Sequence, residues 1–467
     1  MFACLKRYPT ERNRALDSMK RMLIASVGPL VCKLLLFHVL AHACWGQQPV
    51  PIRQVDDPVL LPSPLPDRPE ALPAVAPIAM TLADLENLAL GTNPSIGRAQ
   101  AMVSAARGNW VQVGLRPNPS VGYLGQQLGS GGEAEQHGVL VEKEFVRGKK
   151  LELNRNVAAH EVVRAEQQLA AQHQRVLTDV RIAFYDALLA QQRKLLADQL
   201  VTIARQGVTT VDQLQRAKEA SRPEFLQATL ELDSAEIVLS SAINRHAAAW
   251  RTLTAVVGTT HFPTTVLRGD LECPPDPIKW DDELQRLLTT SPEIAIAVAN
   301  IERTRWAMVR ARAEPIPNVT IQGVVMQDNG IGGRTDANLQ LTVPLPIFNK
   351  NQGAIRQAEA EALAAERALE QVERDLQNRL APVFERYSNA SSQVTRYRER
   401  ILPAARESLD LVRRGYEAGE FPYLNLLNAQ RTFFQTNLQY LDSLRELRTA
   451  SAEIQGMLLS NSLQASP

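Results

Sequence analysis

Few residues of this 467-residue chain combine a reactive type with a telling position, and Cys44 is the first of them. It directly follows Ala41-His42-Ala43, a small-x-small cleavage pattern. Ahead of that lie an apolar run over 34–41 and a basic segment carrying Lys6, Arg7, Arg12, Arg14, Lys20 and Arg21. The order basic, apolar, small-x-small reads as an export signal over residues 1–43. The unbroken apolar run is too short for a transmembrane anchor. Cleavage would remove Cys4 and Cys32 and leave Cys44 and Cys273, which could form a disulfide in an oxidising compartment. Alternatively, Cys44 takes a lipid on its thiol as the first residue of a lipoprotein, although Ala41 stands where such sites usually carry leucine.

No other group assembles into a catalytic or metal-binding pattern. The seven histidines (38, 42, 137, 160, 173, 246 and 261) never fall at paired ligand spacing, and there is no Cys-x-x-Cys. Gly-x-Ser-x-Gly, a phosphate-binding loop and a Gly-x-Gly-x-x-Gly opening a helix are all missing. The sequence therefore predicts neither an enzyme nor a cofactor. His246 reads as a helix-packing residue. Without its signal the chain keeps 44 Lys/Arg against 48 Asp/Glu, and this mildly acidic balance with no basic stripe argues against nucleic acid as a partner.

The elements that any function must rest on are helical and repeated. At spacings of three and four, Leu426, Ala429, Phe433, Thr436, Tyr440, Ser443, Leu447 and Ala450 alternate large with small. Such a helix seam sets bulky knobs against shallow holes. The pattern recurs 201 residues earlier as Phe225, Ala228, Leu232, Ala235, Leu239, Ala242, His246 and Ala249. Asn93-Pro94 and Pro117-Asn118-Pro119 likewise match Ser291-Pro292 and Pro315-Ile316-Pro317 at an offset of 198. The chain is a tandem duplication. The expected divisions are a proline-rich tether over 44–80, repeats over 81–258 and 279–460, a linker over 259–278 and a tail over 461–467.

Each repeat predicts a short helix, a second helix begun by a capped proline, a strand–loop–strand, a very long helix, a tip and the seam helix. In the second repeat Val319, Ile321, Gly323 and Val325 alternate with Thr320, Gln322 and Val324; Leu339, Leu341, Val343 and Leu345 alternate with Asn338, Gln340 and Thr342. In the first, Val139, Val141 and Phe145 alternate with Leu140, Glu142 and Glu144, with Lys143 interrupting the apolar face. Strands of about ten residues with this alternation fit a half-buried hairpin or a tilted membrane span. Four strands leave open edges that hydrocarbon does not tolerate, so a membrane reading requires several chains to complete one barrel. The long helices, about Lys149–Arg216 and Asn351–Glu417, would approach 100 Å at about 1.5 Å per residue, with Pro382 and Pro403 expected to kink or unwind the second.

The chain resembles the TolC-like outer membrane efflux family over 81–460. The likeness is carried by the duplication, Pro117-Asn118-Pro119, Arg147-Gly148-Lys149-Lys150, Leu402-Pro403-Ala404-Ala405, and Tyr416-x-x-Gly419-Glu420 ahead of Leu427-Asn428-Ala429-Gln430. The string Leu345-Pro346-Ile347-Phe348-Asn349-Lys350-Asn351-Gln352-Gly353 is similar to the heavy-metal cation efflux branch. At the first tip Lys218 departs from the pattern by standing where the second has Gly419.

The resemblance implies a mainly α fold with a small β part. Each half would contribute a hairpin to a trimeric, twelve-stranded outer-membrane barrel and long antiparallel helices to a periplasmic tunnel. It implies a passive exit duct in contact with outer-membrane lipid, served by a periplasmic adaptor and an inner-membrane pump of the resistance-nodulation-division type. Glu142, Glu144, Gln322, Asn338, Gln340 and Thr342 would face the barrel lumen. Arg216, Glu219, Arg222, Glu224, Tyr416, Gly419, Glu420 and Tyr423 would serve adaptor contact or gating at the tips, with Phe225, Ala228, Leu232, Ala235, Leu426, Ala429, Phe433 and Thr436 as the sliding seam. The competing readings are a periplasmic coiled-coil adaptor or scaffold and, for cargo, drugs or organic solutes in place of divalent metals.

Overall fold

The computed structural model describes residues 79–129, 134–259, 263–272, 277–330 and 332–464. The expected signal, Cys44, Cys273 and all but the last two residues of the tether lie outside them. Two short helices open each repeat: α1 (Leu82–Thr92) and α2 (Pro94–Gln112) in the first, α5 (Trp280–Thr290) and α6 (Pro292–Ala313) in the second. Their boundaries follow from local chemistry. Asn93 Oδ1 accepts from the Ser95 amide at 2.9 Å and Ser291 Oγ from the Glu293 amide at 3.3 Å, with Pro94 and Pro292 opening the helices they cap.

The strands β1 (Ser120–Leu128), β2 (Ala134–Phe145), β3 (Val319–Asp328) and β4 (Arg334–Thr342) form one antiparallel sheet in the order β1-β2-β3-β4. The two hairpins, almost 200 residues apart in sequence, join through β2 and β3. Among the described residues no strand pairs with either outer edge, β1 or β4.

Helix α3 (Lys150–Arg216) runs unbroken for 67 residues and turns into α4 (Arg222–Val257). Its counterpart is divided into α7 (Gln352–Arg396), a π-helical turn over Tyr397–Ile401 and α8 (Leu402–Glu417), before the seam helix α9 (Tyr423–Gln455). Pro382 lies inside α7 without interrupting its helical assignment, so only the expectation for Pro403 is met by an altered turn. The wider π-turn ends just before that ring, which removes an amide donor and crowds the carbonyl four residues back. Both long helices start from a left-handed residue, Lys149 at φ 54° and Asn351 at φ 59°.

The main core gathers around the middle of the long helices, where Phe184, Leu188, Leu253, Leu380 and Leu447 meet the short helices through Leu85 and Leu287. The inter-repeat segment is fastened to this layer by polar side chains. Gln191 exchanges two hydrogen bonds with the Leu267 backbone, and the buried Arg448 guanidinium donates to the carbonyls of Asp270 and Leu271. Of the seam alanines of α4, Ala228, Ala235 and Ala242 are buried, which sets the close approach of α4 to α3, whereas Ala249 is half-buried.

Candidate functional site

The sheet presents two chemically different faces, fixed by register. On one, Val121, Val141, Gly323 and Leu339 line up across all four strands, and Tyr123, Val139, Val325 and Ala337 form the next row. These side chains are highly exposed, Leu339 at 81 % and Val121 at 72 %. Lys143 shares this face, beside Ile321, and its ammonium bends away to donate to the Pro117 carbonyl. A lysine buried along its stem with its head at the strand end is a snorkelling arrangement.

On the other face Glu142, Gln322 and Gln340 are register neighbours, as are Glu144, Thr320 and Thr342. Glu144 accepts from Asn318 Nδ2 at 2.7 Å, and Gln340 donates to Thr342 at 3.3 Å. Five of the six expected lumen residues thus form two adjacent polar rows at the helix end of the sheet. Asn338 is set apart, in a row with Leu140 and Val324. The face is less uniformly polar than alternation suggests, because Val324 and Met326 lie on it and are buried.

At the far end of the helices the two tips pack together. Val211 of α3, Ala228 of α4, and Tyr423 and Leu426 of α9 form a small core, with Phe225 and Tyr416 against it. The rings of Tyr416 and Tyr423 lie 5.9 Å apart, and a Cβ at Gly207 would sit only 3.0 Å from the Tyr423 hydroxyl. Burial raises the pKa of both tyrosines, reinforced by Glu224 for Tyr416 and by Tyr416 and Glu231 for Tyr423. Both are neutral phenols at physiological pH.

The other expected tip residues are local. Arg216 pairs with Asp212 of its own helix at 2.7 Å, Arg222 stacks 5.5 Å from Phe225, and Glu224 closes a capping box with Ser221. Gly419 supplies a left-handed turn at φ 76°, and Glu219 and Glu420 are exposed. None of these forms an ion pair from one tip to the other among the described residues. Beyond the apolar contacts, the tips are joined by a pair that the sequence reading missed: Arg431 of α9 donates to Glu231 of α4, with Nε 3.0 Å from Oε2. The available signal was the duplication itself, since the two residues are 200 apart and opposite in charge. Of the seam, Leu426, Thr436, Ala228 and Ala235 are buried, while Ala429, Phe433, Phe225 and Leu232 are half-buried.

A duplicated α-helical hairpin chain carrying a two-faced sheet with free edges defines a class of membrane channel proteins. The sequence matches the outer membrane efflux protein family over residues 85–259 and again over 284–458, and the chain belongs to that family. Among curated relatives it is 28% identical over 386 residues to the cobalt-zinc-cadmium resistance protein CzcC of Cupriavidus metallidurans, covering 81% of this chain and 90% of that one. It is 24% identical over 297 residues to the nickel-cobalt-cadmium resistance protein NccC of Alcaligenes xylosoxydans xylosoxydans, covering 61% and 64%. Its fold is similar to the crystal structure of CusC, with a TM-score of 0.68 at 17% identity over 82% of this chain and 93% of that one. The chain is an outer-membrane efflux channel.

Proposed function

We propose that the chain works as a homotrimer whose three sheets close into one twelve-stranded barrel, and that this duct carries divalent metal cations outward. The observation that carries the duct is the pairing of an exposed apolar face with unpaired edges on β1 and β4. An open edge in hydrocarbon leaves backbone groups unsatisfied, and joining β4 of one copy to β1 of the next removes every edge. Each repeat, 81–258 and 279–460, supplies one hairpin and one helical pair. The polar rows of Glu142, Gln322, Gln340, Glu144, Thr320 and Thr342 then line the water-filled interior, and Asn338 faces it nearer the loops.

No energy is transduced in this chain; the pump and the periplasmic adaptor deliver cargo to the helical end. We assign Arg431–Glu231 and the Tyr416–Tyr423 cluster as the contact that holds the tips together, to be released when the adaptor engages Gly419, Glu420 and their first-repeat counterparts. Cys44 is the residue we assign for lipid attachment. Metal cargo is favoured over drugs by the similarity to CzcC and NccC, whose names denote resistance to cobalt, zinc, cadmium and nickel. The test is deletion followed by growth on cobalt, zinc, cadmium and nickel and on hydrophobic drugs. Sensitisation to the metals supports the reading, and sensitisation to drugs alone overturns the metal assignment. A soluble protein after membranes are pelleted would overturn the duct.

A further inference from the structure

We propose that the collar where the sheet meets the long helices binds anionic phospholipid headgroups, a reading that rests on the outward sheet face lying in the membrane. The apolar parity of that face does not stop with the strands. It reaches Phe145 at the very end of β2 and continues through Leu345 and Ile347 after β4. Phe348 follows at 91 % exposure, with Leu345 at 74 % and Ile347 at 65 %. Apolar side chains this exposed and clustered mark a surface that something covers. Next along the chain come Arg147 and Lys149 in the first repeat and Lys350 in the second, and Arg116 lies at the end of the segment entering β1. All four are exposed, and none forms an ion pair among the described residues.

The arrangement is built twice. Aligned on their left-handed first residues, Lys149 and Asn351, the two junctions set Phe145-Val146 against Ile347-Phe348, the first pair followed within four residues by exposed Arg147 and Lys149 and the second by exposed Lys350. Six residues into α3 from Lys149, Arg155 stacks 4.4 Å from the Trp110 ring. By contrast, the charges at the junction between α6 and β3 are satisfied internally, through Arg310–Glu314, Lys150–Glu314 and Arg312–Glu359.

The order from sheet to helix is therefore lipid-facing aliphatics, then aromatic rings, then cations with no counter-charge among the described residues. This is the order of acyl chains, interface and phosphate in one leaflet, and snorkelling Lys143 points the same way. A folded protein partner would have to match an apolar band continuous with the membrane-facing one, whereas a lipid leaflet does so by construction. Basic groups at a membrane surface each strengthen binding to anionic lipid by about fivefold.

The experiment reconstitutes the full-length oligomer in nanodiscs of phosphatidylethanolamine with or without phosphatidylglycerol. It measures retained lipid by native mass spectrometry and the temperature at which the oligomer dissociates. Wild type is expected to retain phosphatidylglycerol preferentially and to dissociate at a higher temperature when it is present. The combined variant Arg147→Gln, Lys149→Asn, Lys350→Gln is expected to lose about tenfold or more of that preference while still inserting; asparagine is chosen because it already occupies the matching left-handed position in the second repeat. Phe348→Ser should weaken retention of both lipids equally. Equal retention of both lipids by wild type, or an unchanged preference in the triple variant, overturns the proposal. Failure of wild type to enter either nanodisc would overturn the membrane reading beneath it.

Discussion

Lys218 and Gly419 occupy the same corner of the two repeats and both adopt left-handed backbone, at φ 64° and 76°. Glycine does so freely, whereas a lysine with its Cβ is strained there by about 1 kcal/mol. Lys218→Gly is therefore expected to raise the stability of the first tip by no more than about 0.5 kcal/mol, because the freer unfolded chain offsets much of the relieved strain, read as a slightly higher melting temperature; a clear fall would mean that the Lys218 side chain makes a contact worth more than its strain. His246 gives a second test. Its Nε2 is buried without a hydrogen-bond partner among the described residues, and burial, with help from Lys194, lowers its pKa from the ordinary 6.5. An unfolded chain takes up the proton first as pH falls, so this site contributes stability above pH 6.5 that is lost as pH drops through the lowered pKa. His246→Leu should remove that acid sensitivity in thermal melts at pH 5 and 7.5, and an unchanged pH dependence would place its origin elsewhere. Caps such as Asn93 and Ser291 were legible because they act on their own helix. Arg431–Glu231 was not, because a pair between distant segments shows in sequence only once the repeat is used to align them.

The helices test the seam. Ala228 is fully enclosed whereas Ala429 is half-buried, so the two positions are not equivalent despite their matching places in the pattern. Ala228→Phe should overpack the contact of α4 with α3 by about 1–3 kcal/mol, and Ala429→Phe should cost less. Oligomer yield and antibiotic leak measure both, and equal effects would show that the two seams share one environment. The difference was hidden in the sequence because periodicity reports which face is apolar, not how closely a neighbour approaches. The same limit applies to Pro382 and Pro403, alike in sequence yet different in consequence. Only Pro403 follows a π-turn, and α3 has no matching break, so the duplicated hairpins are mechanically unequal. The Arg431–Glu231 link ties the interrupted hairpin to the continuous one. Arg431→Glu should separate the tips and raise single-channel conductance in planar bilayers, and adding Glu231→Arg should bring it back; if the double variant remains open, the pair does not hold the tips.

At the scale of the whole molecule, the two sheet faces must meet different solvents, and neighbouring residues on one strand can decide whether they do. Leu339 and Gln340 are adjacent on β4 and equally part of the edge strand, but Leu339 belongs to the exposed apolar row with Val121 and Val141, and Gln340 to the polar row with Glu142 and Gln322. In a closed barrel an arginine at 339 would sit in hydrocarbon, at a cost of about 2–4 kcal/mol near the bilayer midplane. The same residue at 340 would sit in water. With three copies per barrel that cost is incurred three times in one assembly, so Leu339→Arg should sharply reduce the heat-resistant trimer in the outer-membrane fraction while Gln340→Arg leaves it near wild type. A hairpin sheet on a water-soluble body would tolerate both, because its exposed face is already wet. If Gln340→Arg proves the more damaging, the faces are reversed, and the polar rows would have to be packed between chains instead of lining a duct.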